Sequence, residues 1–196
     1  MSIAASSIAQ QAFRYMETSE LASFGDDSDQ ARAAAEQFPQ TRNAALARAD
    51  WSFASELISL SEAQTAVADP DLPYAFVLPS RVLKLREVKA DPRPRWRIDR
   101  RLLRADMAGP ILIRATVQID DETKLPAEFQ NYVSRRLAAA LSPRFASAAN
   151  RARLLMEAAE ADFEEALLAD RAQASAERWD GRDPTYSDDW VGEVVR

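Results

Sequence analysis

The sequence predicts an α+β fold: a helical bundle formed by both ends of the chain, 1–50 together with 124–176, a central small antiparallel β domain, 51–123, and an extended C-terminal arm, 177–196. Three observations predict it. Apolar residues recur at helical spacing in both flanks, short runs punctuated by proline occupy the middle, and periodicity is lost after Glu177. A chain of 196 residues buries about 70% of the surface its unfolded form exposes, so the core needs no disulfide or metal.

The first helix is expected from about Ile3 to Phe24, with Ile8, Ala12 and Tyr15 or Met16 on one face, ending at Gly25. Asp26, Asp27, Ser28 and Asp29 offer N-cap oxygens for a second helix, about Asp29 to Ala49, whose Ala31, Ala34, Phe38, Ala45 and Ala49 follow helical spacing. Pro39 is expected to kink or split it. After Asp50 the period changes: Trp51, Phe53, Leu57 and Leu60 set against serines imply a strand, with imperfect alternation. A loop from Ala63 to Pro73 leads to strands over Tyr74–Leu78 and Val82–Val88.

Trp96 to Asp106 forms a hairpin turning near Asp99 to Arg101, flanked by the apolar positions Trp96, Ile98 and Leu102 or Leu103, with the arginines on the solvated face; no Gly or Asn marks its turn type. Gly109-Pro110 precedes the clearest strand, Ile111 to Ile119, completing a small sheet or sandwich. Pro126 suits a first helical position, and Phe129, Val133, Leu137 and Leu141 then repeat every four residues until Pro143 ends or breaks the helix. The last helix, about Ser147 to Ala174, carries Ala152, Met156, Ala159, Phe163 and Leu167 on one stripe and Glu157, Glu160, Glu164, Glu165 and Asp170 off it.

Composition argues against catalysis. The chain has no His and no Cys, which removes the usual neutral-pH general base, thiolate nucleophiles and the commonest transition-metal ligands. Four glycines, at 25, 109, 181 and 192, cannot write a phosphate-cradling loop or a dinucleotide fingerprint. Neither a signal peptide nor an apolar run of membrane-spanning length is present, so a soluble protein made in a cytoplasm is expected. No cofactor is implied.

Charge is segregated along the chain. Between Arg81 and Arg104 ten basic residues stand against three acidic ones, a net of +7; with −6 overall, the remainder sums to −13. Such asymmetry suits subunits that meet along complementary faces. Glu157, Glu160 and Glu164 share a helix face and read as a solvated or lumen-facing acidic stripe, since a carboxylate-bridged metal site normally recruits His as well. Arg100 and Arg101, near the hairpin tip, are candidate contacts for a neighbour's carboxylates. Direct DNA binding by the Arg-rich hairpin is the lesser reading, because arginines alternating with apolar residues describe a strand with a solvated face. In the arm, Trp179, Tyr186 and Trp190 are candidate interface residues: the area they bury does not offset the ordering of some twenty residues, so a partner chain should supply the rest.

AALARADWSFASELISL at Ala44–Leu60, LPSRVLKL at Leu78–Leu85 and LPAEFQNYVSRRLAAAL at Leu125–Leu141, following a first helix that ends in SELASFG, resemble in order and spacing the tail tubular protein A family of short-tailed bacteriophages, the head-to-tail adaptors or gatekeepers. The resemblance covers about Ala12 to Ala174. It implies a structural virion protein: a subunit of a ring, twelve-fold in the family, binding the portal protein above and a nozzle, tubular protein B, below, with DNA passing through without sequence-specific contact. It implies localisation at the head–tail junction after assembly in the host cytoplasm, with no membrane partner and no catalytic residues. An acidic channel wall would keep DNA from adhering. The Arg-rich hairpin and Ala-rich helices depart from the family, so surface contacts do not carry over by position. The alternatives are a connector of the long-tailed type, an acidic protein-binding regulator, and a carboxylate-dependent hydrolase, for which no fixed acid pair is visible.

Overall fold

The computed structural model describes residues 6–16, 28–63, 69–90, 92–145 and 150–173. Among the described residues four helices, α1 (Ser7–Tyr15), α2 (Asp29–Arg48), α3 (Ala127–Phe145) and α4 (Arg151–Ala172), flank six strands in sequence order: β1 (Ser55–Leu60), β2 (Tyr74–Val77), β3 (Val82–Lys89), β4 (Trp96–Asp99), β5 (Leu102–Ala105) and β6 (Ile111–Val117). The fold is α+β.

Helix starts follow capping chemistry. The Ser6 hydroxyl accepts the Ala9 N–H, and the Ser28 hydroxyl accepts that of Ala31, each satisfying a donor the helix leaves orphaned. Within the described residues α1 ends at Tyr15, short of the expected Phe24; residues 17–27, including Asp26 and Asp27, lie outside the description. Pro39 does not split α2. It sits on the exposed side, as does Ala35, whose carbonyl loses its helical partner, so water can take up that oxygen. Pro143 does not end α3 either: the helix continues to Phe145, whose ring packs edge-on against Phe13 at 5.7 Å.

Two cores result. One lies among the helices and contains Ile8, Phe13, Phe38, Leu46, Trp51, Phe129, Tyr132, Leu137, Leu155 and Phe163. The whole expected α3 stripe, Phe129, Val133, Leu137 and Leu141, is buried there. On α4 the buried line is Leu155, Ala159, Phe163 and Ala166; Met156, expected on that stripe, is exposed, one position too far round the helix.

The second core lies between two three-stranded antiparallel sheets, ordered β1-β6-β3 and β2-β5-β4. Ile58 opposite Ile113, Leu60 opposite Ile111 and Val88 on the first sheet pack against Phe76, Leu103 and Ala105 on the second. Gly109, beside a cis Pro110, leaves room for Phe76: a Cβ there would stand 2.7 Å from the ring.

Two strand expectations fail. Trp51 does not begin β1. A 3-10 turn, Ser52–Ala54, intervenes and resets the alternation, so Ile58 and Leu60 face the core while Leu57 is 50% exposed. In the hairpin, Leu103 is buried, whereas Trp96 and Ile98 are 42% and 40% exposed, because β4 lies at the rim of its sheet.

Candidate functional site

The helical and β bodies meet at the corner that follows α2. Trp51 is fully buried, edge-on to Phe129 at 5.1 Å and to Phe163 at 5.8 Å, and its indole N–H donates to the Ala45 carbonyl at 3.0 Å. The chain thus turns around a ring held by three elements. From α4, Asp170 accepts the backbone N–H and the hydroxyl of Ser52. From β3, Arg86 donates to the Trp51 carbonyl at 2.7 Å and to Thr116 Oγ1 at 2.8 Å, within 3.5 Å of Asp50. Sequence reasoning placed Asp170 off the apolar stripe with the glutamates, whereas it is buried against Ser52, and it did not single out Arg86: each acts far along the chain from its partner, and no local pattern announces it.

An open cleft of about 360 Å³ lies beside this corner, lined by Arg48, Asp50, Lys84, Phe163, Leu167, Asp170 and Arg171. Asp50 meets Lys84 at 3.3 Å and Asp170 is engaged by Ser52, while Arg48 lies over the Phe163 ring at 3.7 Å and donates to Glu160 at 3.0 Å. These carboxylates each hold a contact within the fold. Among the described residues, no three His, Cys, Asp or Glu side chains are placed to hold a metal ion.

The three glutamates of the expected acidic stripe separate in their roles. Glu160 turns inward to Arg48, whose hydrogen bond holds its carboxyl below the ordinary glutamate range. Glu157 pairs with Arg153 one turn back on α4, and Glu164 is exposed with no ion pair among the described residues. Beside them the outward face of α4 carries Leu154 and Leu168, 51% and 65% exposed, with the exposed Ala161 midway. That spacing is a heptad repeat of apolar positions turned to solvent.

The basic segment is neutralised in space. Seven of its ten cations meet carboxylates: Arg81 with Glu56 at 2.6 Å, Lys84 and Arg86 with Asp50, Lys89 with Glu87, Arg95 with Asp106 at 2.9 Å, Arg97 with Asp69 and Asp99, and Arg104 with Asp99 at 3.0 Å. Charge segregated along the chain is therefore largely spent within the fold. Arg101 turns back on the molecule and donates to the carbonyls of Leu78, Pro79 and Val82, bracing the β2–β3 turn. Arg100, its neighbour, is exposed at the hairpin tip, has no ion pair among the described residues, and holds a φ of 58°. Of the two tip arginines, only Arg100 is disposed toward a partner.

Trp179, Tyr186 and Trp190 lie outside the described residues. No helix among the described residues is long and apolar enough to cross a membrane. No protein-family model matches the chain, and no curated protein matches it.

Proposed function

We propose that this chain is a structural subunit of a head-to-tail adaptor ring of a short-tailed bacteriophage, joining the portal to the tail nozzle and forming part of the DNA path. The observation that carries the reading is where the resembling segments fall. ADWSF forms the corner from bundle to β domain, LPSRVLKL runs through the β2–β3 turn into the first sheet, and LPAEF returns the chain to the bundle at α3. These are the places that set one body relative to the other.

Two surface features support assembly. Leu154, Ala161 and Leu168 offer an apolar line to a neighbouring helix, and Arg100 offers a guanidinium to a neighbour's carboxylate. In this reading the helices face the ring neighbour and the portal, and the β sandwich faces the nozzle. The protein performs no catalysis and needs no cofactor; its partners are copies of itself, portal and nozzle, and its place is the virion's head–tail junction. On the acidic face of α4 that this reading turns toward the DNA, Glu157 and Glu160 are paired with Arg153 and Arg48 while Glu164 stays exposed, which weakens but does not remove repulsion of the phosphates.

The test is the mass of the purified protein alone and mixed with portal. A ring that forms on the portal, with its sandwich at the nozzle side in images of the virion, supports the reading. A protein that stays monomeric with portal present would sink it.

A further inference from the structure

Two unlike faces of the molecule combine exposed apolar side chains with charge left unpaired. On the outward line of α4, Leu154 and Leu168 stand out to solvent; Glu164 and Glu165 flank that line, one on each side, and neither has an ion pair among the described residues. On the rim of β4, Trp96 and Ile98 are exposed, and Arg93 and Arg100, one before and one after them, are exposed with no ion pair among the described residues. The unpaired charges are opposite in sign.

Both faces lie at the junction of bundle and sandwich. Leu168 stands two residues before Asp170, which is held by Ser52 at the head of the β domain. The β4–β5 tip reaches the same level: Arg101 donates to the carbonyls of Leu78, Pro79 and Val82, Val82 pairs with Val117, and the intervening Arg81 meets Glu56 near the start of β1. Two copies side by side in one orientation can therefore bring α4 of the first to β4 of the second without sliding along their length.

Charge selects this pairing over the others. Two α4 faces laid together would crowd Glu164 and Glu165 against the same residues. Two β4 rims would offer each other Asp99 and Asp106, carboxylates already held by Arg97, Arg104 and Arg95. On the first sheet, the exposed Leu57 and Leu112 come with Glu56 and Lys89, which are paired with Arg81 and Glu87. A helix over a sheet edge also covers the kind of edge that proteins protect. We propose that the outward face of α4 covers the rim of β4 in a second copy, with Leu168 seated on Trp96 and Ile98 while Glu164 and Glu165 meet Arg100 and Arg93. Because the joined faces differ, each copy keeps one of each free, and the contact propagates into a ring or an open chain instead of stopping at a dimer. The seam rests on the adaptor reading for its closure into a ring; the contact itself needs only copies of this chain.

Because the chain has no cysteine, cross-linking of the full-length protein reads the seam. Ile98→Cys and Leu168→Cys chains are mixed under mild oxidation, with and without portal, after thermal melts confirm that each folds as the parent does. Their mixed disulfide should form about tenfold faster than in two controls, Leu57→Cys with Leu168→Cys and Ile98→Cys with Met156→Cys, the latter an exposed position off the outward line of α4. Adding Arg93→Glu and Arg100→Glu to the Ile98→Cys chain should slow the reaction about tenfold, and Glu164→Lys with Glu165→Lys in the other chain should restore it. A chain carrying both cysteines should link into multimers longer than a dimer. Rates equal to the controls in both conditions, a charge reversal without rescue, or a doubly substituted chain that closes on itself as a monomer overturns the proposal. Rings on the portal without the cross-link would sink this seam and leave the adaptor reading standing; the cross-link in a protein that never joins the portal would do the reverse.

Discussion

The carboxylate of Asp170 accepts both the backbone N–H of Ser52, at 3.0 and 3.1 Å from its two oxygens, and the Ser52 hydroxyl, at 2.6 Å. The last turn of α4 therefore caps the 3-10 turn that opens the β domain, from 118 positions away in the chain. A cap normally lies one turn from the donor it satisfies. Here a tertiary contact supplies it.

Replacing Asp170 by Ala should cost about 1 to 3 kcal/mol, the loss of a buried charge-assisted acceptor, while Asn should retain part of it. Urea unfolding measures both. A change below about 0.5 kcal/mol for Ala would show that the corner holds without this cap.

Trp51→Ala should cost about 3 to 5 kcal/mol, because the ring is fully enclosed by Phe53, Phe129 and Phe163. Trp51→Phe keeps an aromatic plug but removes the bond to the Ala45 carbonyl, and should fall between Ala and the parent. Equal losses for Phe and Ala would assign the effect to the hydrogen bond and not to packing.

Much of this was legible in the residues. The i, i+4 series from Phe129 to Leu141 needs only one buried face, and that is what α3 uses. Trp51 reads as a corner plug because a large aromatic follows a helix-period run. What local pattern could not show was the 3-10 turn that reverses the parity of Leu57 and Ile58, because hydrogen bonds from α4 and β3 stabilise it. Pro39 did not split α2 and α3 runs past Pro143 to Phe145, because propensity describes an isolated helix while here Pro39 is exposed and Phe145 packs on Phe13. The +7 segment promised a charged surface, yet its partners Glu56, Asp50, Asp69 and Asp106 lie outside it in sequence and beside it in space.

The Arg48–Glu160 pair joins α2 to α4, and Glu160 titrates below its ordinary value because Arg48 donates to its charged form. A carboxyl whose folded pKa is depressed adds stability that is complete above its unfolded value, about 4.3, and is lost as pH falls through the folded value. Acid should therefore erode the α2–α4 contact below about pH 4, and Glu160→Gln should flatten that limb while lowering stability at neutral pH. Melting temperature against pH for the two proteins checks it; parallel curves would remove Glu160 from the account. The loss at neutral pH should be small, since the carboxylate is half-exposed to solvent.

Arg100 and Arg101 are adjacent at the hairpin tip, yet their substitutions should have opposite effects. Arg100 has a φ of 58°, while Arg101 has none in the positive range, the signature of a II′ turn whose first central position favours glycine. A non-glycine residue there costs about 1 to 2 kcal/mol, part of which glycine returns in backbone entropy, so Arg100→Gly should leave stability unchanged or raise it by up to about 1 kcal/mol. Arg101→Ala removes the donor shared by three carbonyls of the β2–β3 turn and should lower stability by about 1 to 2 kcal/mol. If Arg100 persists at a strained position because it contacts a neighbour, Arg100→Gly should form fewer rings on the portal while melting no earlier than the parent. A variant that melts later and assembles as well as the parent would show that the guanidinium serves no contact, and would leave the apolar face of α4 as the place to look for the ring interface.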